Sequence, residues 1–142
     1  MSKDMSFENF VEELQQKIEH EEENTYSKKV IQEYRNPDKF GIIKNPDATG
    51  KIKGPCNDTM KISIKINDKK ISDSRFWTDG CGATIACGNM LMKVIKNKTI
   101  NEAKNISSKK LIDILDGLPK EHLHCAKLAV DTLHSALKNL EK

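Results

Sequence analysis

The hydrophobic period of this chain changes once, near residue 80, and that change limits what it can fold into. Before it, Met60, Ile62, Ile64 and Ile66 alternate with Lys61, Ser63 and Lys65. A two-residue period of this kind makes a strand with one buried face. Asn67-Asp68-Lys69-Lys70 reads as a turn and residues 71–78 as the returning strand. The alternation breaks at Phe76-Trp77, which marks either a bulge or a strand buried on both faces. A short strand at 51–53 completes a three-stranded antiparallel sheet. After Gly82 the spacing becomes three and four. Ile85, Met90, Leu91, Val94 and Ile95 predict a helix ending near Asn97. Short helices follow over 101–105 and 109–116, the second capped by Ser107 or Ser108. Beyond Gly117-Leu118-Pro119, the stripe Cys125, Leu128, Ala129, Thr132, Leu133, Ala136, Leu137 and Leu140 is the most regular helical pattern in the chain.

Two further helices precede the sheet. Phe7, Phe10, Val11, Leu14 and Ile18 form an amphipathic stripe with Ser6 as a plausible N-cap, followed by the acidic run Glu21-Glu22-Glu23. A second helix over 26–35 turns Val30, Ile31 and Tyr34 to one side. Asn36-Pro37 closes it, because a residue before proline is pushed out of the helical region. Residues 36–50, with Pro37, Gly41, Pro46 and Gly50, read as an ordered loop. The fold class is therefore α+β: a small three-stranded antiparallel sheet packed against several helices, with an extra N-terminal helix. Residues 1–24 form an acidic extension and 25–142 the domain proper. No internal repeat or low-complexity segment interrupts this order.

Composition narrows the function. Only 5% of the 142 residues are aromatic, so the core must be mainly aliphatic. Residues 1–24 hold eight acidic side chains against Lys3 and Lys17, a net of −6. The remainder then carries +9 in a chain whose total is +3. That basic excess consists of scattered lysines, with Arg35 and Arg75 the only arginines, and no basic cluster with interleaved aromatics appears. A nucleic-acid partner is not expected. No apolar run is long enough for a membrane helix. Met1-Ser2-Lys3-Asp4-Met5 lacks the apolar stretch of a signal peptide, so a cytoplasmic location is expected. In a reducing compartment four cysteines are metal ligands, reactive thiols or core residues rather than a disulfide framework.

Three of the cysteines sit in islands far apart: Gly54-Pro55-Cys56-Asn57-Asp58, Gly80-Cys81-Gly82-Ala83-Thr84-Ile85-Ala86 and Leu123-His124-Cys125. Thiolates are the soft ligands that zinc, copper(I) and iron–sulfur clusters select. Cys81 falls at a strand-to-helix turn and Cys125 at the start of the last helix. There, unpaired N–H groups and the positive end of the helix dipole favour thiolate. Gly80 and Gly82 suit a sharp turn and a close approach of a bulky inorganic group. Asp58 sets a hard carboxylate beside soft thiolates, a mixture that holds iron less tightly than four cysteines. His124 offers an imidazole as ligand or proton donor. Cys87, about 240° around the helix from Cys81, reads as core packing. His20, His122 and His134 read as surface residues.

The separations between these cysteines match no generic metal spacing, but the islands together resemble the IscU/NifU-type iron–sulfur cluster scaffold family. The likeness begins at Tyr26-Ser27-Lys28-Lys29-Val30-Ile31 and Asn36-Pro37. It continues through Cys56-Asn57-Asp58-Thr59-Met60-Lys61 and the Gly80–Ala86 island (residues 80–86), and ends at Leu123-His124-Cys125-Ala126-Lys127-Leu128-Ala129. The resemblance implies that Cys56, Cys81 and Cys125 are cluster or metal ligands, Asp58 the labilising carboxylate and His124 an alternative ligand. It implies assembly of a [2Fe–2S] cluster from iron and sulfur, the sulfur coming from a cysteine desulfurase or free sulfide. Transfer to recipient apo iron–sulfur proteins would follow, a binding role rather than enzymatic turnover. Such sites also hold zinc, and a homodimer sharing the cluster stays open beside a single protomer.

Three departures stand out. Asn57 replaces the glycine usual after the first cysteine. Leu118-Pro119-Lys120-Glu121-His122 replaces the Leu-Pro-Pro-Val-Lys chaperone motif, so an Hsp70-type chaperone partner is doubtful, and His122 occupies the lysine position. The N-terminal acidic helix has no counterpart in the shortest members. A zinc-dependent persulfide acceptor that enhances a desulfurase is the alternative function. A thiol enzyme built on Cys125 and His124 ranks below both, since adjacent residues at a helix start point in different directions.

Overall fold

The structure is a computed structural model that describes residues 25–55 and 57–140. The expected N-terminal helix with its Phe7, Phe10, Val11, Leu14 and Ile18 stripe lies outside the described residues, as does Cys56.

Helix α1 (Lys28–Arg35) is started by Ser27, whose Oγ accepts the Val30 N–H at 3.1 Å. It stops at Asn36, before Pro37, as the restriction on pre-proline residues requires. Val30 and Ile31 face inward as their spacing predicts. Strands β1 (Ala48–Lys53), β2 (Thr59–Asn67) and β3 (Lys70–Thr78) form an antiparallel sheet in the order β1-β2-β3. The β2–β3 turn places Asp68 and Lys69 at φ 55° and 66°. Two consecutive left-handed residues make the tight hairpin whose twist matches that of the strands.

Two details of the sheet differ from expectation. Strand β1 starts at Ala48, three residues earlier than the 51–53 strand. The reason is tertiary. A Cβ on Gly50 would lie 2.4 Å from the Ala136 nitrogen and 2.5 Å from the Thr132 carbonyl oxygen, so only glycine lets the last helix approach this strand. The bulge is also displaced. Pairing runs without interruption through Lys61↔Trp77 and Ile62↔Phe76, and the register shifts instead at Lys65/Ile66, leaving Ser72 as the extra residue. Phe76 and Trp77 straddle the pleat: Phe76 is fully buried and Trp77 is exposed. The shift falls beside the tight turn, where twist is greatest.

Helices α2 (Gly82–Ile95), α3 (Ile100–Lys104) and α4 (Ser108–Ile114) follow, then a 3-10 turn (Lys120–His122) that runs into α5 (Leu123–Leu140). Helices α2 and α5 cover one face of the sheet and α1 lies against α2. Met60, Ile62, Ile64, Leu91, Met92, Leu133 and Leu137 meet there with no exposed surface, and Phe76 is the one aromatic among the largest fully buried side chains described. The core is aliphatic, as the composition demands. Cys87 belongs to it. No helix among the described residues is long and apolar enough to cross a membrane. One end of the sheet gathers the β1–β2 loop, the β3–α2 junction and the 3-10 turn, and with them Asp58, Cys81 and Cys125.

Candidate metal centre

The first island is a closed loop between β1 and β2. The Gly54 amide donates to the Asp58 carbonyl at 2.7 Å, and the Asn57 amide to the Gly54 carbonyl at 3.1 Å. Asn57 holds φ 64°, a left-handed conformation that asparagine tolerates better than most residues and glycine better still. That requirement explains which residue types suit the position after the first cysteine. The loop delivers Asp58, whose Oδ2 accepts from the Thr84 hydroxyl at 3.2 Å. Its Oδ1 is buried and lacks a hydrogen-bond partner among the described residues.

Cys81 is the N-cap of α2, with extended backbone and an exposed side chain. The glycines around it act differently from expectation. Neither Gly80 nor Gly82 has a left-handed φ. A Cβ on Gly80 would sit 2.8 Å from the Thr84 side chain, and one on Gly82 would touch the Tyr34 ring at 3.4 Å. They leave room for neighbours rather than for a strained turn. Partial burial pushes the Cys81 thiol up, but the Thr84 amide and hydroxyl and the Ala83 amide outweigh it. The net result lies below the ordinary thiol value. The helix start thus favours thiolate here, as expected.

At Cys125 it does not. This residue is the third of α5, preceded by the 3-10 turn rather than by a free helix end, and it is fully buried. Burial, the nearby Cys81 and the Asp58 carboxylate push its thiol up to about 12, although the Thr84 hydroxyl, 3.3 Å from Sγ, acts the other way. Burial raises the Cys87 thiol still more clearly, with Cys125 and Cys81 adding to it.

The thiols of Cys81 and Cys125 converge on His122. Its Nδ1 is 4.0 Å from Cys81 Sγ and 4.0 Å from Cys125 Sγ. The three ligand atoms of Cys81, His122 and Cys125 all lie within 4.8 Å of one another. His124 reaches Cys125 alone, with Nε2 3.7 Å from Sγ. On the far side of His122, the Tyr26 hydroxyl lies 3.1 Å from Nε2. An open cavity of about 440 Å³ fronts the group, lined by Asp58, Cys81, His122 and His124 among others. That is room for on the order of ten waters, far more than a single ion needs.

The structure therefore brings together Asp58, Cys81, His124 and Cys125 from the expected set and adds three residues. His122, read from sequence as a surface residue, is half-buried and central. It stands three residues before Cys125, as Thr84 stands three after Cys81, and such spacing puts side chains on one face of a turn. That signal was available in the sequence. Tyr26, 96 residues from His122, offered none.

Residues 25–142 match the family model for the NifU-like N terminal domain. The iron–sulfur cluster assembly scaffold protein IscU 1 of Archaeoglobus fulgidus is 42% identical over 113 residues, covering 79% of this chain and 74% of that protein. IscU of Escherichia coli K12 is 38% identical over 117 residues, covering 79% and 91%. Among solved structures, a SUF-system cluster assembly scaffold candidate from Fervidobacterium islandicum superposes with a TM-score of 0.66 over 79% of this chain and 96% of its own, at 22% identity. A NifU-like N-terminal structure from Brucella abortus gives 0.64 at 15% identity, over 81% and 93%. The two solved structures share the sheet-and-helix fold, and the identity to the IscU proteins extends over most of the described chain. By the family model and the identity to the IscU proteins, this chain belongs to the NifU-like N-terminal domain family, to which its cysteine islands pointed.

Proposed function

We propose that this chain is a scaffold on which an iron–sulfur cluster is assembled and from which it passes to recipient apoproteins. The cluster is cargo, not a resident cofactor. The observation that carries the reading is the meeting of the Cys81 and Cys125 thiols with the His122 imidazole beside an open cavity that Cys81 and His122 line, in a chain whose curated relatives are named cluster assembly scaffolds. The donor chemistry fits. Cys81 and Cys125 supply soft thiolates, Cys56 is a third cysteine, and Asp58 supplies a carboxylate oxygen that is buried without a partner among the described residues. A buried acceptor in that state is costly unless something completes it, and a metal ion would.

Three cysteines with one further donor match the four ligands a [2Fe–2S] core requires. A hard carboxylate among thiolates loosens the hold on iron, and the exposed Cys81 leaves the site accessible to a partner. Closed structural zinc sites lack that access. Sulfur then comes from a cysteine desulfurase or from free sulfide, and the products are holo iron–sulfur proteins. The same donors would accept zinc, but no specific observation favours the persulfide-acceptor role over the scaffold.

Anaerobic reconstitution with ferric iron and sulfide tests the proposal. Iron and acid-labile sulfide should appear in equal amounts with thiolate-to-iron absorption, and both should fall sharply in Cys81→Ala and Cys125→Ala. Full cluster content in both variants would overturn it, as would zinc that resists replacement by iron.

A further inference from the structure

The imidazole at the centre of the site is the one outside the Leu123-His124-Cys125 island. In a tetrahedral site with metal–sulfur bonds near 2.3 Å and a metal–nitrogen bond near 2.05 Å, sulfur and nitrogen donors stand about 3.6 Å apart. His122 Nδ1 is 4.0 Å from both sulfurs, a few tenths of an ångström from that spacing. His124 closes on Cys125 only, and it is not part of the group whose ligand atoms lie within 4.8 Å of one another.

We propose that His122 ligates the metal or cluster through Nδ1, in preference to His124, and that Tyr26 holds it in that orientation. The inference rests on the metal-binding reading of this site. A ring that ligates through Nδ1 must carry its remaining proton on Nε2, and that N–H needs an acceptor. The Tyr26 oxygen stands 3.1 Å from Nε2. A phenol both accepts and donates, so it suits the metal-bound tautomer and also the metal-free one in which Nδ1–H faces the sulfurs. Tyr26 is itself fixed. It packs edge-on against Tyr34 with ring centroids 6.2 Å apart, and the Tyr34 ring lies over Gly82, beside Cys81. The contacts thus run from the imidazole through α1 back to the N-terminus of α2. Tyr26 is a positioning residue and His122 a ligand.

Cobalt(II) binding to the full chain tests this without requiring cluster assembly. Wild-type protein should show a thiolate-to-cobalt charge-transfer band and a d–d envelope typical of mixed sulfur and nitrogen donors. His122→Ala should bind cobalt more than about tenfold more weakly, with an altered d–d envelope. Tyr26→Phe should weaken binding about tenfold with the envelope retained, since losing a partner of a ligating histidine costs roughly that much. His124→Ala should stay within about threefold of wild type. His122→Gln replaces His122→Ala if circular dichroism shows the alanine variant unfolded, with the same expectation. Wild-type affinity and envelope in a folded His122 variant would overturn the assignment, as would the nitrogen signature vanishing in His124→Ala instead. Unchanged affinity in Tyr26→Phe would overturn the positioning role. Wild-type protein with no charge-transfer band would overturn the metal-site reading itself, an outcome distinct from the others.

Discussion

Cys81 and Cys125 face the same imidazole yet hold their protons very differently. Amides and a hydroxyl at the start of α2 bring Cys81 below the ordinary thiol value despite its partial burial, whereas burial and neighbouring charge push Cys125 up to about 12. In metal-free protein near neutral pH, Cys125 is therefore a thiol, and any metal that binds it must displace a proton. Thiolate is the species that alkylates. In a Cys56→Ser background, Cys81 should be modified first, its rate levelling off below the ordinary value near 9. Cys125 should stay slow, with a rate still climbing at the highest pH reached. Peptide mass spectrometry over a pH series resolves the two, and equal rates would contradict the assignment. At this scale the sequence was most legible where short motifs carried the family likeness, and Asp58, Cys81 and Cys125 from those motifs do meet around Thr84. It was least legible where role depends on distant company. Asn57 looked like a departure until its φ of 64° gave the reason. Thr84 read as an ordinary helix residue, yet its hydroxyl, with one proton to give, stands against both Asp58 and Cys125.

Helices α1 and α2 are joined by a polar contact that no periodicity announced. Glu33 lies on the buried side of α1, and Lys93 contacts both its oxygens, at 2.7 and 2.8 Å. Asn89, fully buried on α2, donates to Glu33 Oε2 at 3.0 Å and to Asp38 Oδ1 at 3.1 Å, while its own oxygen accepts the Lys39 amide at 2.8 Å. The hydrogen bond from Asn89 is the main reason the Asp38 carboxyl lies below its usual range, working against slight burial and aided by Lys93. This one amide fixes α1 and the loop after it to the helix that begins at Cys81. Asn89→Ala should cost about 2–4 kcal/mol, because it leaves a buried carboxylate oxygen and a backbone amide short of partners. A urea melt of metal-free protein reads the loss, and a change under about 0.5 kcal/mol would show that water replaces the amide. Element order and type could be read from apolar spacing because α5 and β2 each bury a regular stripe, whereas α2 is buried on nearly all sides, with Ile85, Met90 and Val94 of its apolar pattern only partly covered. Strand β1 could not be, because Ala48, Thr49 and Gly50 owe their place to the approach of α5 and not to any propensity of their own.

The charge distribution divides the molecule where the family match begins. Residues 1–24 carry a net of −6 and the rest +9, and the matched domain spans residues 25–142. Within the described residues the aliphatic core is contiguous from Val30 on α1 to Leu137 on α5. Every described member of the site, from Tyr26 to Cys125, comes from the basic part. A domain of this size with its own core is expected to fold alone. A chain of residues 25–142 should therefore melt cooperatively, bind cobalt with the stoichiometry of the full chain and be retained far longer on a cation exchanger. The acidic extension would then act on the domain mainly through charge, and exposed charges interact weakly beyond about 10 Å at 0.1 M salt. Differences in cobalt affinity between the two chains should accordingly shrink as salt is added. A salt-independent difference, or a shortened chain without a cooperative melt, would mean instead that the extension packs against the domain through its apolar stripe of Phe7, Phe10, Val11, Leu14 and Ile18. Because Tyr26 lies only two residues beyond the cut, the cobalt spectrum of the shortened chain also reports whether the imidazole it contacts keeps its orientation.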